Sequence, residues 1–360
     1  MRFPGFTDEW KKTTLGDIVQ IVKDKISTSY LQSDTYISTE NILPNFAGIN
    51  DNCNIPDNQN VTRYKAGDIL LANIRPYLKK IWLADRNGGC NADVFVFRPN
   101  NINSSFVYYS IANDKFCDYV MSGAKGVKMP RGDKDQILKF ETGIPSDEEQ
   151  QRVVQLLSLI DERIATQNKI IEDLQCLIKG LRELLFKPLL TNFVKLGNIA
   201  KITNGSGDVQ DAISNYQDGL YPFFDRSDEV KYFRDYSFDA EAIIYAGEGA
   251  EFLPRYYNGK FALHQRCYAI TTFSSDFLPR YIYHYLQTQN NYFIRNAVGS
   301  TVPSLRMDCF LKIGIPIADK EIQDSVINRL DRLSEKINNE KNILSLYQRQ
   351  KTFLLQKLFI

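Results

Sequence analysis

Lys125, Lys128, Arg131 and Lys134 fall within one run, Gly123 to Lys134, that also holds Gly126, Pro130 and Gly132. A flexible basic loop of this make-up suits DNA, because lysine and arginine neutralise phosphates and the arginine fork matches base edges. A second run, Gly299-Ser300-Thr301-Val302-Pro303-Ser304-Leu305-Arg306, stands at the matching place later in the chain, with Ser300, Thr301 and Arg306 as its polar contacts. Arg75 and Lys79 form a further basic patch, and Arg255, Lys260, His264, Gln265 and Arg266 are the remaining candidates. For each single residue an ordinary solvated surface is the competing reading.

The residues that would do covalent chemistry are not there. Neither the Asn-Pro-Pro-Tyr nor the Asp-Pro-Pro-Tyr step of an adenine methyltransferase occurs, and no glycine loop suits a cofactor. There is no P-loop, hence no ATP-driven motor. Pro56-Asp57 lacks the Glu-x-Lys that a nuclease would place later in the same domain, and His264 and His284 have no nucleophile at a defined spacing. Six scattered cysteines, none in a CxxC pair, and two histidines give no zinc ligand set and no disulfide framework. The expectation is a chain without catalytic residues, metal or cofactor. A net charge of +1 is neutral on DNA binding, since basic residues can gather on one face. No apolar run is long enough for a membrane span, and the start of the chain is unlike a signal peptide, which together suit a reducing cytoplasm.

The elements that must position these loops occur twice. Leu15-Gly16-Asp17-Ile18 returns as Leu196-Gly197-Asn198-Ile199, and Gly67–Ala72 has an echo in Ala242–Gly247. Phe106–Ile111 matches Tyr281–Leu286, and each half closes on Gly-Ile-Pro, at Gly143–Pro145 and Gly314–Pro316. The period, about 175 residues, is far too long for a solenoid and right for a duplicated domain with a helix. Ile69–Ala72, Val94–Arg98 and Tyr268–Thr272 read as strands, while Phe106–Val120 and Pro279–Ala297 read as helical.

After each closing step comes a long amphipathic run. Val153, Leu157, Ile160, Ile164, Ile171, Leu174, Ile178, Leu181 and Leu185 alternate in threes and fours, and Val326, Leu330, Leu333, Ile337, Leu344, Tyr347, Leu354 and Leu358 repeat the pattern. Lys351 interrupts the second seam where the first has Ile178. Two such stripes, each on a helix roughly 60 Å long at ~1.5 Å per residue, need partners, and each is the economical partner of the other. Gln167 and Glu340 occupy equivalent seam positions, where a polar pair can fix register; loosened, solvent-facing turns are the alternative.

Taken in order, these motifs resemble the type I restriction–modification specificity subunits. The resemblance covers essentially the whole chain. It rests on Trp10…Leu15-Gly16-Asp17 and Leu196-Gly197-Asn198, on Arg75–Lys80, on Ile144-Pro145 with the following Asp147–Val153, and more loosely on Ile315-Pro316 through Gln323. It implies an α+β fold: two similar α/β target-recognition domains joined by two long antiparallel coiled-coil helices in a pseudo-twofold arrangement. The domains would be 1–146 and 188–318 and the spacer helices 147–187 and 319–360. Each domain would read one half of a bipartite, asymmetric double-stranded DNA site. The helices would set the gap and dock two methyltransferase subunits, which carry S-adenosylmethionine, and restriction subunits would complete the complex. The alternatives are the specificity chain of a related system with methylation and cleavage on one partner, or a coiled-coil scaffold that no longer reads DNA.

Overall fold

Leu15 and Leu196, which open the two copies, are both fully buried, and the elements around them recur in one order. The computed structural model describes residues 3–50, 54–227, 229–299 and 301–359. It falls into two units, 1–168 with 343–360 and 169–342.

The first unit begins β1 (Lys11–Thr14), α1 (Leu15–Ile18), β2 (Val19–Ile21), β3 (Lys25–Ser27), β4 (Tyr36–Ile37), β5 (Asn60–Tyr64) and β6 (Ile69–Ala72). It continues with β7 (Ile81–Leu83), β8 (Gly88–Cys90), β9 (Val94–Pro99), α2 (Ser104–Ile111), α3 (Asp114–Ser122), α4 (Lys134–Leu138) and β10 (Glu141–Ile144). The long α5 (Asp147–Phe186) starts here and ends in the second unit. That unit contains β11 (Phe193–Lys195), α6 (Leu196–Ile199), β12 (Lys201–Asn204), β13 (Tyr221–Phe224), β14 (Lys231–Phe233), β15 (Phe238–Ala246) and β16 (Arg255–Leu263). After these come β17 (Cys267–Thr271), α7 (Pro279–Leu286), α8 (Asn290–Asn296), α9 (Met307–Lys312), β18 (Gly314–Pro316) and α10 (Lys320–Leu358), whose end returns to the first unit.

A four-stranded order is common to both units: β2-β9-β6-β7 in the first and β12-β17-β15-β16 in the second. The second extends the sheet with β13 and β14, whereas the first builds a separate sheet, β3-β5-β8-β4. The central strand explains its own composition. Ile69 and Leu71 on β6 join the core that α2 and α3 cover, while Leu70 and Ala72 face the other way, towards Ile37 and Tyr64. A strand buried on both faces reads as an unbroken apolar run. β15 repeats this, with Ile243 and Tyr245 on one face and Ala242 and Ile244 on the other. The glycine of the opening motif has a steric reason. A Cβ on Gly16 would lie 3.1 Å from the Leu138 carbonyl oxygen on α4, and one on Gly197 would lie 2.8 Å from Leu311 Cδ2 on α9.

The helical stretch expected over Phe106–Val120 is two helices. Ala112 leaves the helical region, and Asn113 caps α3 by accepting from the Phe116 N–H at 3.0 Å while donating to the Ser110 carbonyl at 2.7 Å. Pro279–Ala297 is likewise broken between α7 and α8.

Inside each unit the two long helices meet in opposite chain directions. In the first, Val153 and Leu157 near the start of α5 share a core with Leu355 and Leu358 near the end of α10. In the second, Ile178 on α5 shares one with Leu330 and Ile337 on α10. The matching tails dock on the globular parts: the Phe359 ring packs on Phe106 and Trp10, and Phe186 packs on Tyr281 and Tyr285. Gln167 and Glu340 are each buried, and Glu340 pairs with Lys336 one turn back.

Lys351 is no gap in the seam. Its ammonium lies 2.5 Å from Asp161, and the Tyr109 hydroxyl donates to the same carboxylate at 2.8 Å. The position that interrupts the apolar pattern therefore ties both long helices to α2.

Candidate nucleic-acid interface

In the first unit the loop 125–131 is closed by reciprocal backbone bonds between Lys125 and Arg131, both 2.9 Å, with Gly126 at φ +96 making the turn. It is seated on the segment after β6: Ile74 bridges Arg131, and the Arg75 N–H donates to the Pro130 carbonyl at 2.8 Å. Arg75 and the basic loop are thus brought together, with Val127, Lys128 and Met129 exposed at the tip. Arg75 and Lys79 both hold left-handed backbone conformations, at φ 53 and 55, where non-glycine residues are strained. Lys125 pairs with Asp133 at 2.5 Å, which holds that carboxyl below its usual range, and Arg131 pairs with Asp93 at 3.1 Å. Lys128 is left as an exposed cation at the tip.

Lys79 goes elsewhere. Its ammonium pairs with Asp114 at 2.7 Å, a bond that raises its affinity for the proton, and it lines a cleft of about 630 Å³ beside Phe46, Asp161 and Lys351.

The second unit repeats the junction. Val298 bridges Ser304, Glu248 bridges the same residue, and the Gly249 N–H donates to the Pro303 carbonyl at 3.1 Å. Thr301 is exposed on this loop, Arg306 is exposed at the start of α9, and Ser300 lies outside the described residues. His264, Gln265 and Arg266, in the turn between β16 and β17, line a pocket of about 540 Å³ with Asp225, Arg226 and Lys231. Arg266 pairs with Glu248, so this turn and the loop share one junction. Arg255 donates to the Ser227 carbonyl at the pocket edge. Lys260, on β16, holds its ammonium 4.7 Å above the ring of Tyr236, which lies between β14 and β15.

Sequence reasoning missed the residues that fix the starts of the two long helices. Gln150 and Gln323, separated by the same interval as Val153 and Val326, are buried. Gln323 accepts from the Leu278 N–H at 2.8 Å and donates to the Asp276 and Ala318 carbonyls at 2.9 and 2.8 Å. Gln150 makes the corresponding, longer bonds to Asn103 and Pro145, at 3.4 and 3.1 Å. The shared offset was the available signal. Likewise His284 on α7 stands where Tyr109 stands on α2, and its Nε2 is 2.8 Å from Asp331 on α10.

Burial of His284 costs its charged form more than Asp331 returns, so its affinity for the proton falls below the ordinary 6.5. The unfolded chain then takes up this proton first. Stability from this group is complete above about pH 6.5 and declines as the pH falls, by about 2 kcal/mol at pH 5. Thermal melts at pH 7.5 and 5.0 check it: the loss should be clearly smaller in His284→Gln, and equal losses would count against it.

Among the described residues no helix is long and apolar enough to cross a membrane. A family model described as the type I restriction modification DNA specificity domain matches twice, over residues 7–175 and 188–346. The chain is 29% identical over 148 residues to the type I restriction enzyme EcoDI specificity subunit of Escherichia coli, covering 41% of this chain and 32% of that protein. It is 22% identical over 194 residues to the HindI specificity subunit of Haemophilus influenzae, covering 51% and 41%. The chain therefore spans well under half the length of these curated relatives. Among solved structures, the type I restriction-modification S subunit from M. genitalium superposes with a TM-score of 0.62 at 16% identity, covering 100% of this chain and 99% of that one. A structure described as complex assembly and conformational transition of the type I R-M system gives a TM-score of 0.54 at 15% identity, covering 98% and 97%. At such identities the structures support the fold alone.

Proposed function

Since the chain belongs to the type I restriction modification DNA specificity domain family, we propose that it is the non-catalytic specificity subunit of a type I restriction–modification complex. It reads a bipartite, asymmetric double-stranded DNA site and acts in the cytoplasm. Residues 1–146 and 188–318 are its target-recognition domains, and 147–187 and 319–360 its spacer helices. Arg75, Lys125, Lys128 and Arg131 contact one half-site, and His264, Gln265, Arg266, Ser300, Thr301 and Arg306 the other. Lys79 belongs to the first set and Arg255 and Lys260 to the second, each while also engaging a protein group.

The carrying observation is the repeated junction: one scaffold presents loop 125–131 in the first unit and 298–304 in the second, with the same backbone bonds and different side chains. A shared frame with unlike contacts reads two sequences, whereas a symmetric dimer would read a palindrome. Buried Gln167 and Glu340 act as polar seam residues that set helix register. Methyltransferase subunits bring S-adenosylmethionine and the adenine chemistry, and restriction subunits complete the complex; this chain needs no cofactor of its own.

Long-read mapping of methylated adenines in cells expressing the chain with its partner subunits tests the proposal. A two-part motif with unlike halves is expected, and its absence would overturn the reading.

The helices offer a docking surface for the methyltransferase. Ile170, Leu177 and Leu184 recur every seven residues on α5 and are 38%, 55% and 69% exposed. Apolar side chains regularly spaced on a solvent face mark a partner helix or surface. Leu177→Glu with Leu184→Glu should reduce co-purification of the methyltransferase at least tenfold, about 1.4 kcal/mol of binding, without lowering the melting temperature. Full retention of the partner would contradict it.

A further inference from the structure

At its loop junction each unit holds an arginine that a carboxylate from a neighbouring segment grips. Arg131 is paired with Asp93 and Arg266 with Glu248. The two pairs are not copies of one another. Val94 stands opposite Ala72 and Cys267 opposite Ala246, so the residues just before them, Asp93 and Arg266, occupy equivalent positions. One copy has an acid there and the other an arginine. A gripped arginine is present in both all the same, supplied by the loop in the first unit and by the turn before β17 in the second.

Exposed ion pairs contribute little to stability, which leaves a brace as a poor account of a pair rebuilt from different residues at one place. What the carboxylate does provide is aim. It holds a long, flexible side chain in one orientation, while 56% of Arg131 and 64% of Arg266 remain open to solvent. A guanidinium fork fixed in this way needs little further ordering to bond O6 and N7 of a guanine in the major groove.

We infer that Arg131 and Arg266 each read one guanine, one in each half of the site, and that Asp93 and Glu248 are their positioning residues. This deepens the DNA-reading assignment above and rests on it. The consequence is that each half-site contains a G·C pair whose identity is set by one named side chain, although the two side chains come from different segments of the domain.

Two measurements test it, both with the full chain. The methylated motif is mapped in cells carrying Arg131→Ala, Asp93→Asn, Arg266→Ala or Glu248→Gln. The first two variants should relax the motif at one and the same G·C pair of one half, and the last two at one G·C pair of the other. The positioning variants should relax it less than the arginine variants, and Glu248→Asp should restore most of the preference. A purely structural role would lower methylation evenly and leave the motif unchanged, which would overturn the inference. Because a variant can fail to fold, binding of the unaltered chain is also measured to duplexes carrying 7-deazaguanine at each guanine in turn. Loss of N7 should weaken binding on the order of tenfold at one guanine per half. Binding indifferent to every such substitution, or a half-site without a G·C pair, would overturn the inference while leaving DNA reading intact. A wild-type chain that yields no two-part motif would instead remove the DNA-reading premise.

Discussion

Gln323→Leu is expected to destabilise the second unit by about 3 to 5 kcal/mol. The side chain is fully buried, and its amide serves three backbone groups, the Leu278 N–H and the Asp276 and Ala318 carbonyls, at 2.8 to 2.9 Å. Leucine fills much the same space but leaves all three without partners, away from water. A lost buried bond of this kind costs about 1 to 3 kcal/mol each, less where local shifts admit water. The melting transition should move down on the order of 10 °C. Gln150→Leu should cost visibly less, because its bonds to Asn103 and Pro145 are longer. Calorimetry on the two variants decides it; equal shifts, or a larger one for Gln150, would count against this account of how α10 is anchored to the loop before α7.

Asp161→Ala should cost about 3 kcal/mol, and Lys351→Met less than about 1 kcal/mol. The asymmetry follows from what each change leaves behind. Lys351 is only 14% exposed, so without Asp161 it becomes a nearly buried ammonium with no carboxylate, and the Tyr109 hydroxyl loses its acceptor as well. Methionine in place of Lys351 keeps the stem packed, and Asp161, 34% exposed, retains the Tyr109 hydroxyl and water. Urea denaturation of both variants separates the outcomes. If Lys351→Met is the more damaging, the lysine contributes as an ion and not as a packed stem.

The two long helices were legible because side chains that must face one partner recur every three or four residues, and nothing beyond the local chain enters that rule. β6 was legible for a similar reason, since burial on both faces leaves four apolar residues in a row. The break at Asn113 was not. Its side chain can cap a helix or sit on one, and the choice depends on Phe116 having to turn into the core. Lys351 looked like a flaw because a seam pattern records polarity and not partners; Asp161 lies on the other helix and Tyr109 on a third. Of the proposed contact surface, the basic loops were visible in composition, and the structure places Arg75 against loop 125–131 and Arg266 beside 298–304. Asp93 and Glu248 escaped notice because their relevance comes from the meeting of segments far apart in the chain. The pairing of Lys79 with Asp114, 35 residues further on, was hidden for the same reason.

Loops 125–131 and 298–304 are held to their units by main-chain bonds, with Val127, Lys128 and Thr301 exposed. Drift at those tips is therefore nearly free of folding penalty, while Leu15, Gly16 and Gln150, with their second-copy equivalents, are held by packing. In the proposed DNA-reading role, such a division lets a lineage revise one half of its address at a time, and a duplicated gene supplies two independently editable words on an unchanged spine.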